Sequence, residues 1–470
     1  MKHVVIIGGG ITGLAAAHRL LEKTRESDAA IELTLLESSN RLGGIVQTTE
    51  REGFLLERGP DSFISEKPAA LDLTKRLGLE SRLIETNSQY RRSFVVSRGR
   101  LLPVPEAFHL LAPARFWPFF KSGIFSPSGK VRMALELLVP RAANGTDESL
   151  ANFVRRRFGR EALERMAQPM VGGIYTADPE KLSLRATMPR FLEMERQHGS
   201  LIRALRKQNS DASRETSGAR YSLFLSFDRG MQVLTDELAQ QVSNANVSLR
   251  LNTAVTSVAR ESGESGDVWR LTTANGETLV ADALCLALPA YTSAQLLANV
   301  DSKLAAALSA ISYASSATIN LAYRREDIPR PLDGFGFVVP FIEGRSLIAC
   351  SFSSVKFAGR APANHVLLRA FLGGALQPEA LDRSDSELLA AVRKDLRDLL
   401  GVNKEPLFAE ITRWKRSMPQ YDLGHLERVK DIEERLTSLP GLTLAGNAFT
   451  GLGISDCIRT GEAAAEMITP

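Results

Sequence analysis

Apolar residues recur along the chain with two periods, and the changes between them mark out the elements. His3–Ile7 is a short β-branched run that predicts a strand, Gly8–Gly13 a turn, and Leu14–Lys23 a helix. Ile31–Leu36 predicts a second strand, ending at Glu37. Pro68–Leu77 carries Ala70, Leu73 and Leu77 on one helical face and stops at Gly78. From about 110 to 210 the pattern is helical: Val131, Leu135 and Leu138 fall at i, i+4 and i+7, and Leu150, Phe153, Val154 and Phe158 form a stripe with Asp147 as the expected N-cap. Alternation returns after 220. Val247–Val258 reads as extended, Val268–Thr273 and Thr278–Ala281 flank the hairpin signal Asn275-Gly276, and Ala283–Leu288 reads as a buried strand. Strands follow over 312–372 and a helix over about 384–401; then come a strand at Leu442–Ala445, a glycine-rich loop and a helix near Ser455–Met467.

With 470 residues the chain exceeds one compact core, so two or three domains are expected. Its three cysteines, Cys285, Cys350 and Cys457, lie far apart with no CxxC pair, which excludes a disulfide framework and recognisable zinc or iron–sulfur ligation. Each is expected to be a small buried residue in a reducing compartment. The opening lacks a basic leader region and no 18 consecutive residues are apolar, so a cytoplasmic protein without a spanning helix is expected. The net charge of +4 is uneven: residues 91–160 carry 13 Lys or Arg against 4 Asp or Glu, leaving −5 for the remainder. Within that segment Phe116, Trp117, Phe119, Phe120 and Phe125 stand among Arg115, Lys121 and two prolines. The mixture suits a peripheral membrane contact, or a helical core with a charged exterior. No nucleic-acid-binding motif occurs.

The densest chemistry is at the start. Gly8-Gly9-Gly10-Ile11-Thr12-Gly13 has the GxGxxG spacing between a strand and a helix. Its glycines allow a tight turn, backbone approach to a pyrophosphate and close helix packing, and the helix start offers free N–H groups. Glu37, at the end of the second strand, suits a ribose hydroxyl. Glu37-Ser38 followed by Arg41-x-Gly43-Gly44 resembles the second FAD motif of the amine-oxidase-like flavoproteins. That resemblance implies FAD, with Arg41 near the pyrophosphate and the paired glycines turning beneath the flavin end. It also implies flavin-side backbone donors from Gly59-Pro60-Asp61-Ser62 and adenine reading by the backbone of Val255. Near the other end, Gly446 and then Gly453-Ile454-Ser455 place a glycine loop at a helix start, where amides and dipole would stabilise charge on a reduced flavin. A purely structural loop is the alternative.

Beyond these motifs, Gly59–Phe63, Arg91–Pro105, Gln168–Ser183 (QPMVGGIYTADPEKLS), Gly334–Gly336, Trp414 through Tyr421 to His425, and Gly446–Gly461 resemble the oxygen-dependent porphyrinogen oxidases of haem synthesis, bacterial soluble type. The resemblance implies an α/β fold: a Rossmann-like FAD domain of p-hydroxybenzoate-hydroxylase type (1–86, 222–293, 420–470), a helical membrane-contact domain (87–210) and a mixed-sheet substrate domain (211–221, 294–419). It implies oxidation of a porphyrinogen to the porphyrin in three two-electron flavin cycles, with O2 reduced to H2O2. Trp414 would join the cofactor site. Arg92 would pair with a propionate, Gly173 would let the macrocycle approach the backbone, and Val338 and Phe357 would sandwich its ring. Surface, turn and core roles are the plain alternatives for these four. Six histidines show no metal spacing, and no acid or base is identified. An amine oxidase, a carotenoid-desaturase-like enzyme on the same scaffold, or a non-catalytic flavin protein remain competing readings. Protoporphyrinogen IX versus coproporphyrinogen III, and a homodimer, stay open.

Overall fold

A computed structural model describes all residues except 28–30, 106–107, 110, 114–115, 143–144, 213–222, 246, 264–265 and 469–470. Arg115 and nearly all of the 211–221 segment therefore lie outside the described residues. The opening forms as its pattern predicts: strand β1 (Lys2–Ile7), helix α1 (Ile11–Ser27) and strand β2 (Ile31–Leu36). The helix starts three residues earlier than its composition suggests, directly from the glycine turn. β1 is central in a parallel sheet ordered Val247–Arg250, β2, β1, Ala283–Leu286, Leu442–Leu444. Strands covered on both faces read as unbroken apolar runs, and Val4–Ile7 are buried accordingly.

One face of this sheet packs α1, the helix Gln232–Asn244 and the terminal helix Ile454–Ile468. A Cβ on Gly461 would lie 2.3 Å from Thr12 O, so the terminal helix meets α1 at a distance only glycine allows. The other face carries the antiparallel strands Val255–Gly263, Gly266–Thr273 and Thr278–Ala281, joined through the expected Asn275-Gly276 turn, with helices at 290–309 and His425–Leu436. The predicted extended run 247–258 is in fact two strands in different sheets. Asn252 (φ +52) breaks it, and the N–H of Asn252 and Thr253 donate to Ser39 O and Glu37 O.

A second, seven-stranded sheet runs Phe408–Pro419, Tyr313–Arg324, His365–Gly373, Ala349–Phe352, Gly336–Val338, Phe94–Ser97, Arg100–Pro103. Its neighbours are antiparallel except Gly336–Val338 with Phe94–Ser97. The last two strands come from the stretch expected to begin the helical region at 87, which therefore starts only after them. Helix Asp385–Leu400, opened by a Ser384/Glu387 capping box and closed by Gly401 (φ +74), covers one face. The other face meets the segment Glu57–Gly59: Thr318 Oγ1 donates to Arg58 O at 3.3 Å and Asn320 Nδ2 to Glu57 O at 3.1 Å.

The region after Phe116 is helical, with one departure from its pattern. Helix Pro127–Ala134 gives way to a tighter turn over Leu135–Leu138, so the 3.6 period is lost and Val131, Leu135 and Leu138 face outward; Leu138 is 76% exposed. The inward position belongs to Glu136, which is fully buried, ion-paired with Arg157, and accepts from Leu201 N at 2.9 Å. A buried pair of this kind persists because hydrogen bonds satisfy both charges. The expected cap also moves. Ser149, not Asp147, accepts from Asn152 N at the start of Leu150–Phe158, while the Asp147 carboxylate accepts from Ser183 Oγ at 2.6 Å and Gly424 N at 2.9 Å.

Candidate active site

The glycine turn sits at the carboxyl ends of the parallel strands, the usual ligand crevice of such sheets. Gly8 (φ +106) has no room for a side chain, since a Cβ would stand 2.4 Å from Ala287 O. At Gly13 a Cβ would be 1.9 Å from Gly8 O. Gly10, by contrast, faces open space bounded only by Gly44 Cα at 3.9 Å. That concavity lies before Ile11, Thr12 and Gly13, the first residues of α1, whose initial N–H groups have no carbonyl a turn behind them; Leu14 N–H returns to Gly10 O at 2.9 Å. Glu37 is held at the rim: Oε2 accepts from Gly9 N at 2.7 Å, and Oε1 from Ser39 N at 2.8 Å and Ser38 Oγ at 3.4 Å. Val255 begins the strand that follows Thr253, whose N–H is bonded to Glu37 O at 2.8 Å, so it stands beside this rim.

Gly43 N–H donates to Gly9 O at 2.8 Å and carries the chain across the turn. Arg41 turns inward, donating to Gly44 O at 2.6 Å and Val46 O at 2.8 Å; it fixes the double-glycine bend from within. Gly59 continues the same surface, where a Cβ would lie 1.8 Å from Ile45 O. Next to Pro60, Asp61 accepts from Lys356 Nζ at 2.9 Å and from Ser62 Oγ at 2.7 Å. Burial alone would raise the Asp61 carboxyl, but Lys356 and Arg369 hold it well below the usual carboxylate range. Trp414 donates its indole N–H to Arg58 O at 3.0 Å, and Arg369 donates to Arg58 O at 3.2 Å and to Gly59 O. The second sheet thus clamps this segment from above.

At the far side, Gly446 (φ +134) donates its N–H to Thr460 Oγ1 at 3.1 Å, and Gly453 N donates to Asp456 Oδ2 at 3.2 Å. Ile454 and Ser455 begin the terminal helix, and both are buried. Ser455 Oγ is buried with no partner among the described residues. A buried hydroxyl normally finds one. The opening at Gly10, the free amides of α1 and this orphaned hydroxyl at a second helix start fit a long anionic dinucleotide with a polar ring at one end.

The substrate-side expectations divide. Gly173 and Val338 come together, a Cβ on Gly173 meeting Val338 Cγ1 at 3.6 Å. Arg92 precedes the strand Phe94–Ser97; it is 51% exposed and donates to Asp333 O at 2.6 Å and to the Asp333 carboxylate. Phe357 is not brought to an open surface. It is 1% exposed, with the Lys356 ammonium and Arg360 guanidinium over its ring at 5.0 and 5.6 Å. Lys356 and Arg360 belong to a charged layer with Glu57, Asp61 and Arg369, and the buried Phe357 ring offers no open face for the expected sandwich.

Of this layer sequence reading named Asp61, as a flavin-side residue, and missed Glu57, Lys356, Arg360 and Arg369. Its signal was Arg369 within the run His365–Gly373, a cation in an otherwise apolar buried strand. It also missed Tyr421 and His425 as structural neighbours of the 446–453 loop. Cys285 and Cys350 are buried as expected and Cys457 is half-buried; burial pushes the Cys285 and Cys457 thiols up to about 11.

The geometry defines a flavin-binding oxidoreductase scaffold, and the chain belongs to the flavin-containing amine oxidoreductases, whose family profile matches residues 11–469. Its cofactor is FAD. Among relatives, it is 37% identical over 465 residues to the coproporphyrinogen III oxidase of Bacillus subtilis (strain 168), covering 98% of this chain and 97% of that protein. It is 31% identical over 478 residues to protoporphyrinogen oxidase 1, chloroplastic, of Arabidopsis thaliana, covering 97% of this chain and 86% of that one. A crystal structure from Exiguobacterium sp. 255-15 superposes with a TM-score of 0.86 at 32% identity, covering 99% of this chain and 98% of that one.

Proposed function

We propose that the protein is an FAD-dependent oxidase that converts a porphyrinogen to its porphyrin with O2, with coproporphyrinogen III as the substrate. The observation that carries the choice of substrate is the full-length similarity to bacterial coproporphyrinogen III oxidases, at 31–37% identity with 98–99% of this chain covered. Held in the crevice, FAD would supply two-electron oxidising capacity with O2 as the final acceptor and H2O2 as its product, so three turnovers would complete the six-electron oxidation.

The chain's own residues bind and orient. Gly8–Gly13 and the start of α1 hold the diphosphate, and Glu37 accepts from the ribose. Gly43, Gly44 and Gly59–Ser62 pave the flavin's surroundings with backbone, while Trp414 and Arg369 keep that pavement in place. Gly173 against Val338 offers a low apolar surface to a flat macrocycle. Arg92 presents a guanidinium to a propionate; Nε and Nη2 are engaged by Asp333, so a substrate carboxylate would take Nη1 or displace the Asp333 side chain. The apolar surface and polar rim orient the substrate; no proton-moving side chain is assigned.

The helical region supports a peripheral membrane contact. Trp117, 71% exposed and under the Lys121 ammonium at 5.0 Å, lies in the same region as exposed Phe120, Val131, Leu135 and Leu138. Rings and aliphatic chains facing water beside cations suit insertion at a lipid headgroup boundary. Among the described residues no helix is long and apolar enough to cross a membrane.

The test is a paired turnover assay. Coproporphyrinogen III and protoporphyrinogen IX are supplied in aerated buffer while porphyrin fluorescence and peroxide are recorded together. About three peroxides per porphyrin, with coproporphyrinogen III the faster, is the expected result. Faster protoporphyrinogen IX would reassign the substrate, and no porphyrin from either would overturn the function.

A further inference from the structure

The flavin-side loop 446–453 is held in an unusual way. It is a coil with two glycines at positive φ, Gly446 (+134) and Gly451 (+109), and such a chain has no ladder to keep its shape. Three of its alternate residues are instead bonded by two side chains from one short segment. Tyr421 Oη donates to Asn447 O at 2.8 Å and accepts from Gly451 N at 2.7 Å. His425 Nε2 bonds Phe449 O at 2.8 Å. A carbonyl can only accept, so the imidazole carries its proton on Nε2. The two rings stack on each other at 3.9 Å and 13°, and both are buried, His425 completely.

This pattern works only for neutral rings. A phenolate could not donate to Asn447 O, and an imidazolium would place a second N–H at Nδ1, which is buried with no partner among the described residues. Burial pushes the phenol of Tyr421 up and the imidazole of His425 down, so both stay neutral through the physiological range.

The same segment is tied on its other side to the substrate-side stretch. Tyr421 O accepts from Ser183 N at 2.8 Å, Leu423 N donates to Lys181 O at 2.9 Å, and Gln420 Nε2 donates to Tyr175 O at 3.3 Å. Gly424 N donates to Asp147 at 2.9 Å. Tyr175 ends the helix Gln168–Tyr175 that carries Gly173. One six-residue segment, Gln420–His425, therefore joins the wall beside Val338 to the loop at the terminal helix start.

We propose that Tyr421 and His425 are positioning residues that set the 446–453 loop, and with it the amides at the start of the terminal helix, against the flavin. Their role is to fix cofactor affinity and potential, not to touch substrate. The inference rests on the flavin site above and needs no particular substrate; failure of both porphyrinogens to turn over would leave it standing.

The test measures FAD affinity by quenching titration of the apoprotein, and the flavin midpoint potential by dye equilibration. Tyr421→Phe keeps the stacked ring and removes the hydroxyl. His425→Leu removes the donor to Phe449 O, and His425→Gln restores an N–H. Tyr421→Phe and His425→Leu should weaken FAD binding by about 10- to 100-fold, the usual consequence of stranding buried backbone groups. The potential should become more negative, because displaced helix-start amides stabilise the reduced flavin less. His425→Gln should lie nearer the wild type on both. Wild-type affinity and potential in Tyr421→Phe and His425→Leu would overturn the proposal. If Tyr421→Phe does not fold, the His425 pair decides: equal behaviour of the Leu and Gln variants would overturn it.

Discussion

The dinucleotide crevice and the layer around Asp61 and Lys356 lie within one site yet are built from different materials. The crevice is made of backbone. Its shape depends on glycines whose Cβ atoms would strike carbonyls at 1.8–2.4 Å, at Gly59, Gly13 and Gly8, and on amides at two helix starts. The layer is made of charged side chains drawn from residues 57, 61, 356, 360 and 369, with no spacing in common. A backbone site needs particular residues at fixed intervals, so it leaves a motif. A side-chain site needs only that distant strands meet, so it leaves almost none.

The sharpest way to break this contrast is at Gly59. Gly59→Val would force its side chain onto Ile45 O, and no neighbouring rotamer change can relieve a backbone clash. Purified variant should contain no stoichiometric FAD; a yellow, wild-type-like protein would show that the bend is less constrained than its glycine. Next is Lys356→Met. Both members of the pair are largely buried, at 14% and 20% side-chain exposure, so an Asp61 left with only the Ser62 hydroxyl and the Arg369 charge should cost about 3 kcal/mol of thermal stability, and Asp61→Asn in the same chain should recover part of it.

The pH dependence sharpens that result. Asp61 is held below its ordinary value, so its contribution is fully present above the unfolded carboxyl value of about 3.9 and is lost as pH falls toward the lower folded value. The stability gap between wild type and Lys356→Met should therefore narrow below about pH 4. Smaller in stability, and separate in kind, is Arg92→Ala. Half exposed and outside the crevice, it should raise KM for the porphyrinogen several-fold, about 1 kcal/mol, with flavin content unchanged. The smallest effect on the folded state belongs to Trp117→Ser with Leu138→Ser. Both side chains face solvent, so thermal stability should stay within about 0.5 kcal/mol while sedimentation with anionic vesicles falls.

The same contrast explains what could be read in advance. β1, β2, the turn between β1 and α1, the Asn275-Gly276 hairpin and the capped helix Asp385–Leu400 were legible because local chemistry decides them. The run Val131–Leu138 was not, because a buried Glu136–Arg157 pair turned the segment over and sent its apolar residues outward. Asp147 was misplaced for a similar reason: its carboxylate answers to Ser183 and Gly424, far away in sequence, while Ser149 does the local capping. Phe357 looked like a ring-stacking surface, yet two cations from its own vicinity occupy its faces. Tyr421 and His425 stood in plain view four residues apart, but only the fold shows that they reach the loop beyond residue 446.

The position of the terminal helix has a consequence for when the protein can work. Its Gly461 closes on Thr12, and the strand Leu442–Leu444 is the fifth in the parallel sheet. Those pieces leave the ribosome roughly 20–90 s after β1 at about 5–20 residues per second. Through most of synthesis the glycine turn exists without its far wall, so the nascent chain cannot enclose its cofactor. Enclosure of the cofactor therefore requires the strand Leu442–Leu444 and the terminal helix Ile454–Ile468, so FAD should load only once both have been synthesised.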